Sequence, residues 1–181
     1  MGSSDVVSLN MFKNLVLLAA LFILSSCSKQ ENGQFQLEYR MSLEIPADAN
    51  PLFTHVFEKA IASDWNNFLA AHNLNQSNLV KIRPRSVILS PVFNNSISYG
   101  IISEIHASIY DLIDPGGMLP IADIYDNIRS DEELVLLPGL ADLKELIKND
   151  EFSLKLELNL RQFPGSVSDH FLTVQFDVFV N

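Results

Sequence analysis

Apolar and polar residues alternate with a period of two along several stretches of the chain. From Phe35 to Ile45, Phe35, Leu37, Tyr39, Met41, Leu43 and Ile45 are separated by Gln36, Glu38, Arg40, Ser42 and Glu44. Successive side chains of an extended backbone point to opposite faces, so this predicts a strand with one dry and one wet face. Glu151–Arg161 repeats the pattern, with Phe152, Leu154, Leu156, Leu158 and Leu160 on the dry side. Phe171–Val180 does so again through Leu172, Val174, Phe176, Val178 and Val180. The short connection through Phe163-Pro164-Gly165 predicts that these last two strands form an antiparallel hairpin. Ile97–Tyr110 alternates too, with Ile97, Tyr99, Ile101, Ile105, Ala107 and Ile109 on one face. Leu79–Ile82 and Arg85–Phe93 predict two shorter strands punctuated by Pro84 and Pro91, residues of edges and bulges. Met118–Ile128 suits a helical turn or a strand, and its neighbours favour the strand.

One stretch follows another period. Asn50-Pro51 has the form of a helix start, and Phe53, Val56, Phe57, Ala60, Ile61, Trp65, Phe68 and Leu69 recur every three or four residues. A helix is expected there, broken by a second cap at Ser63-Asp64. Leu140–Lys148 predicts a short helix through Leu140, Leu143 and Ile147, and Asn73–Asn78, Asp111–Gly117 and Ser130–Glu133 are expected to be loops. The expected fold class is therefore mainly β. Strands with one wet face pair antiparallel, because buried parallel strands are apolar throughout. The expected architecture is a two-sheet antiparallel sandwich of immunoglobulin-like character, about seven strands, with one or two helical insertions. The alternative is an α+β layer with helices on one antiparallel sheet.

Charge narrows the partners. The 181 residues carry 12 basic and 22 acidic side chains, a formal charge of −10. Nucleic acid is excluded as an expected partner, since phosphates need a basic patch. Electrostatic docking on an anionic lipid surface is disfavoured for the same reason.

The amino-terminal stretch supplies an address. Leu15–Leu24 reads LVLLAALFIL, without a charge. As a helix it spans roughly 15 Å, half a bilayer core, which is too short to cross and suits the apolar region of a secretory signal. Lys13 supplies the positive flank if translation starts at Met11. Met1-Gly2 lacks the Ser or Thr at position 6 that myristoylation favours, since Val6 stands there. Leu24-Ser25-Ser26-Cys27 resembles the lipobox of bacterial lipoproteins, and the resemblance covers residues 11–27. It implies that the signal is cut before Cys27, that the Cys27 sulfur carries a diacylglycerol, and that further acylation (palmitate-type chains) completes a stable anchor. In enteric-type bacteria the resemblance also makes Asp after the cysteine an inner-membrane signal. Ser28 stands there, so the outer membrane is expected. The chain thus divides into a signal peptide at 1–26, the lipidated Cys27 and a polar tether at 27–34, and a single β-rich domain at 35–181. Cys27 is the sole cysteine, so no internal disulfide is possible.

Candidate chemistry in the domain is sparse. His55, His72, His106 and His170 show no metal-binding spacing, no serine lies in a GxSxG elbow, and no cofactor is implied. Lys81, Arg83 and Arg85, in the run KIRPR, would project from one strand face and could grip an anionic ligand. The same row could instead guard a sheet edge against aggregation. Asp111, Asp114, Asp123 and Asp126 flank a Gly-bearing loop and are candidate metal ligands, for calcium in particular. Trp65, on the apolar stripe, is expected in the core. The expectation for function is a non-enzymatic cell-envelope lipoprotein: a binding or structural module held at the membrane by its lipid, with an envelope protein or glycan as partner. The alternatives are a carbohydrate- or small-ligand-binding accessory lipoprotein and a hydrolase whose site is assembled from distant residues.

Overall fold

The computed structural model describes residues 33–93, 98–128 and 132–181. Cys27, the lipobox and most of the tether lie outside the described residues, as do Ile97, the turn at Asn94-Asn95 and part of the acidic turn from Ser130. The described chain from Gly33 to Asn181 is one compact unit. It is mainly β: strands β1 (Phe35–Ile45), β2 (His55–Ala62), β3 (Leu79–Pro91), β4 (Ile102–Tyr110), β5 (Leu119–Ile124), β6 (Leu134–Pro138), β7 (Glu151–Leu160) and β8 (Ser168–Val180), with short helices α1 (Trp65–Ala71) and α2 (Lys144–Ile147). No helix among the described residues is long and apolar enough to cross a membrane.

All pairings are antiparallel, and the strands form one sheet in the order β1-β8-β3-β6-β5-β4-β7-β2. First pairs with last throughout: β1 with β8, β2 with β7, β3 with β6 and β4 with β5. The topology is that of a long antiparallel ribbon folded back on itself. β6 joins the two halves through short contacts, Val87–Leu89 of β3 on one side and Ala122 and Asp123 of β5 on the other. The result is a single nearly closed sheet where two separate sheets were expected. An immunoglobulin-like order sets the first strand beside the second. Here the hydrogen-bonded neighbour of β1 is β8.

The alternation rule places the core. Met41, Ile45, Leu89, Ile105, Ile109, Phe152 and Phe176 lie on the inner faces of five strands and are almost fully buried. Tyr39 of β1 meets the Phe152 ring of β7 edge-on at 5.0 Å and the Phe176 ring of β8 at 5.8 Å. Its hydroxyl donates to the Ser63 carbonyl at 2.5 Å, just past the end of β2. The two ends of the sheet thereby share one interior. Each such ring removes roughly 150–250 Å² from water, which makes this cluster the main apolar term.

Three expectations are corrected. β7 and β8 do not form a hairpin, because the connection between them crosses from one half of the sheet to the other and β8 inserts between β1 and β3. The helix expected from Asn50 is confined to Trp65–Ala71, while His55–Ala62 is strand β2, aligned with Ala62 opposite Glu151 and His55 opposite Leu158. The two short strands around Pro84 are one strand, β3, in the middle of the sheet. Pro84 has no N–H to give, and the pairing slips there, between Pro84 and Ser86, leaving Arg85 as the extra residue of a bulge. β6 does not reach this half of β3. The chain entering α2 takes its place: the Leu143 N–H donates to the Ile82 carbonyl, and the Ile82 N–H to Asp142.

The antiparallel order sorts the connections onto two ends. One end, the crown, carries the β1–β2, β3–β4, β5–β6 and β7–β8 connections. The other, the foot, carries the helix-bearing β2–β3 and β6–β7 connections, the β4–β5 loop, Gly33 and the carboxyl terminus. Gly33 packs so closely on Val178 of β8 that a side chain would meet its backbone nitrogen at 2.7 Å.

Candidate functional site

The crown collects most of the unusual side chains. Leu52 and Phe53 stand on the β1–β2 connection, Phe93 on β3–β4, Tyr125 and Ile128 on β5–β6, and Phe163 and Val167 on β7–β8; all are more than half exposed. Taking roughly 200 Å² per aromatic side chain, the four rings together expose roughly 500 Å², spread over four connections.

These loops are tied together by hydrogen bonds. Gly165 donates to the Ala47 carbonyl at 3.3 Å, joining β7–β8 to β1–β2, and its φ of 77° is one that glycine adopts without strain. Val92 donates to the Asp169 carbonyl at 2.9 Å, and Arg161 donates from its backbone to Ile101 at 2.7 Å. Asn127 is a buried hub. Its backbone donates to Ser103, and its amide donates to the carbonyls of Tyr99 at 2.9 Å and Ile102 at 3.2 Å. The Arg161 guanidinium closes the circle on Asp126 and on the Asn127 carbonyl. The exposed apolar residues therefore stand on braced loops.

Beneath them lies a polar cluster inside the core. His170, at the start of β8, is fully buried, with Nδ1 2.8 Å from the Tyr99 hydroxyl and Nε2 2.8 Å from Ser168 Oγ. A neutral imidazole donates from one nitrogen and accepts at the other, and either hydroxyl can take either part, so both bonds form without charge. Burial lowers the His170 pKa, opposed in part by neighbouring Asp169. Burial also raises the Tyr99 hydroxyl pKa, helped by the Glu133 carboxylate. Sequence reasoning missed this cluster, although its signal was present: the inward phase of Leu172, Val174 and Phe176, carried back two and four residues, falls on His170 and Ser168.

Lys81, Arg83 and Arg85 do alternate with buried Ile82 and Pro84 on one face of β3, and the first and last are drawn into separate contacts. Lys81 lies 4.4 Å from the centre of the Phe179 ring, and Arg85 pairs with Asp177 at 3.0 Å. The row occupies the half of β3 that β6 leaves uncovered.

The candidate metal ligands Asp111, Asp114, Asp123 and Asp126 are not brought together. Asp111 and Asp114 follow β4 at the foot, whereas Asp123 and Asp126 sit at the crown end of β5, because β4 and β5 run antiparallel between them. Each is engaged locally. Asp111 accepts from Ile113 N and Asn149, Asp114 caps its own turn at Gly116, Asp123 bonds His106 Nδ1 at 2.7 Å, and Asp126 bonds Arg161. Among the described residues no three metal-ligating side chains converge. Asp111 lines an open hollow of about 710 Å³ at the foot with Ile113, Lys148, Asn149 and Glu151.

Two histidines have the neighbours a hydrolase would use. His170 reaches Ser168, but both are buried. His106 reaches Asp123 on the outer face, with the Tyr125 ring 5.2 Å away. His55, expected at a helix start, lies in β2 and its Nε2 is 3.0 Å from the Asn50 carbonyl.

No family model matches the chain, and no curated protein matches it. Among solved structures it is similar to a chain of Desmodium yellow mottle tymovirus, at 11% identity and a TM-score of 0.30, covering 84% of this chain and 92% of that one. It is also similar to a chain in the Yersinia pseudotuberculosis TcaA-TcaB structure, at 14% identity and a TM-score of 0.32, covering 93% of this chain and 11% of that one.

Proposed function

We propose that this chain is a lipid-anchored, non-enzymatic interaction module of the bacterial cell envelope, attached through Cys27 to the outer membrane, which offers its crown to an envelope partner. The observation that carries the reading is polarity of the fold. Gly33 enters at the foot, and the braced loops with their exposed aromatic side chains stand at the opposite end. A tether of seven residues (28–34) extends at most about 25 Å, so a lipid on Cys27 leaves the foot nearer the membrane and the crown turned away from it. The same reading treats the sheet as two layers, β1-β8-β3-β6 over β2-β7-β4-β5, the double Greek-key order of jelly rolls; the first-with-last pairing supports this.

The test has two arms in cells. A fatty-acid analogue should label the wild-type chain and not Cys27→Ala. A photo-crosslinking residue at Phe53 should give a discrete adduct that the same residue at Ile113 does not give. A labelled Cys27→Ala, or equal adducts from both ends, would overturn the reading.

A second reading, a carbohydrate- or small-ligand-binding accessory lipoprotein, is favoured by one feature. Tyr125 is an exposed aromatic set beside the His106–Asp123 pair. Retention on immobilised glycans that is lost in Tyr125→Ser would select it.

A further inference from the structure

The flank of the crown carries a second feature that narrows what can dock there. At the seam where β5 and β6 pair through only two residues, the strands part and leave an apolar hollow of about 380 Å³. Ile124, Ile128, Val135 and Leu137 line it, and Asp126 stands at its edge. Ile128 and Leu137 are 88% and 74% exposed, so the lining is open to a visiting side chain. Around the crown the exposed charges are mostly acidic: Asp48, Asp126, Glu132, Glu133 and Asp169, with Arg161 already paired to Asp126. The remaining charged residues of the same connections, Arg129 and Asp131, cancel formally.

We propose that the crown binds a protein segment whose apolar side chain seats in the Ile124–Ile128–Val135–Leu137 hollow and whose flanking lysines or arginines face this acidic rim. The inference rests on the crown being the interaction face and adds the chemistry of the partner. Interfaces of this kind draw affinity from a few anchors in pockets and draw specificity and on-rate from complementary charge. The alternatives meet like charge. A second copy would set one acidic rim against another, and an anionic bilayer would repel the same carboxylates.

The purified full-length chain can be titrated with two labelled synthetic peptides, one alternating leucine with lysine and one alternating leucine with glutamate. The lysine peptide should bind and the glutamate peptide should not. Ile128→Ser with Leu137→Ser should weaken binding roughly tenfold or more, as loss of a central anchor does, while Ile113→Ser with Leu140→Ser at the foot should leave it unchanged. Glu132→Gln with Glu133→Gln should weaken it and flatten its salt dependence. Melting curves confirm that each variant is folded. Equal binding of both peptides would overturn the charge argument, and equal loss in foot and crown variants would overturn the site. Self-association, or binding to phosphatidylcholine vesicles, that is abolished by Ile128→Ser with Leu137→Ser in the absence of any peptide binding would overturn the proposal in favour of a second copy or a lipid. None of these readouts depends on acylation, so failure of the anchor is separable from failure of this inference.

Discussion

At the foot, Trp65 stacks on Phe68 with ring centres 5.3 Å apart, Phe68 meets Phe35 edge-on, and Leu143 and Ile147 of the second helical connection are fully buried. At the crown the order is inverted. Polar groups go inward, as His170, Tyr99, Ser168 and Asn127 show, and apolar ones go outward, as Phe53, Phe93, Tyr125 and Phe163 show. Both ends finish the same nearly closed sheet and both are tied by hydrogen bonds between connections, Ser63 to the Asp150 carbonyl at the foot and Gly165 to the Ala47 carbonyl at the crown, but the foot adds a buried aromatic stack. The foot keeps its aromatic rings inside and exposes aliphatic Leu112, Ile113 and Leu140, whereas the crown exposes four aromatic rings. Single exposed apolar side chains are ordinary on a folded surface, and the crown differs in carrying an exposed aromatic ring on each of its four connections.

The strongest way to break the comparison is to empty the foot. Trp65→Ala removes an almost fully buried ring whose indole N–H has no partner among the described residues, so packing alone is lost. The expected cost is about 3–5 kcal/mol, read as a fall in the denaturant midpoint. The peptide affinity of the fraction that stays folded should not change. A cost below about 1 kcal/mol would mean that the foot is not sealed as described.

His170→Leu attacks the crown from inside. It leaves the Tyr99 hydroxyl and Ser168 Oγ without their shared partner, at about 1–3 kcal/mol for each stranded group. The wild type should also show a pH signature that the variant lacks. Burial holds the folded pKa of His170 below its unfolded value of about 6.5. The unfolded chain then binds more protons between those two pKa values, so stability is full above about pH 6.5 and falls as the pH drops, by at most about 1.4 kcal/mol per unit. The difference between wild-type and variant melting curves from pH 7.5 to pH 5 isolates this group. A constant difference across that range would show that His170 is not held neutral.

The sequence made the walls of the sheet legible because period two survives in Phe35–Ile45 and Glu151–Leu160, where one face is dry along the whole strand. Pairing was another matter. Nothing in β8 says that its neighbours are β1 and β3, since every dry strand face looks alike until the chain is closed. HVFEKAIA failed for a different reason. Phe53, Val56, Phe57, Ala60 and Ile61 fit a helical stripe, while His55, Phe57, Lys59 and Ile61 fit a strand, and the edge of β7 decides between them. The crown was least visible. In the sequence Phe53 fits the helical stripe and Phe163 falls in a loop, because exposure of a lone aromatic residue depends on which loops meet it. Of Met118–Ile128, expected as a strand, only Leu119–Ile124 is one (β5), and Tyr125–Ile128 belong to the connection that follows.

Arg85→Ala tests the wall between the two ends. Arg85 bonds Asp177, which is nearly buried on β8, at the bulge where β3 lacks β6 as a neighbour. A hydrogen bond to a charged group contributes about 1.5–3 kcal/mol, and the partial exposure of Arg85 discounts that to about 1–2 kcal/mol. Thermal unfolding should register it, and Arg83→Ala should fall short of it, since Arg83 makes no ion pair with a described residue. Equal losses would assign the row a common role that its contacts do not suggest.

The smallest stability effect carries the sharpest test of the comparison. Phe53 and Phe163 belong to neighbouring crown connections, bridged by the hydrogen bond from Gly165 to Ala47, and each is more than half exposed. Phe53→Ser with Phe163→Ser removes no buried contact and strands no polar group. Surface changes of this kind stay within about 0.5 kcal/mol each, so the double variant should melt with the wild type even though it loses two aromatic rings. Trp65→Ala loses one ring and should unfold several kcal/mol sooner. Crosslinking from a probe at Phe93, on another crown connection, should rank the same variants the other way, strongly reduced in Phe53→Ser with Phe163→Ser and intact in folded Trp65→Ala. If Phe53→Ser with Phe163→Ser cost more than about 2 kcal/mol, those rings would be packing elements, and the division of labour between the two ends of the sheet would disappear.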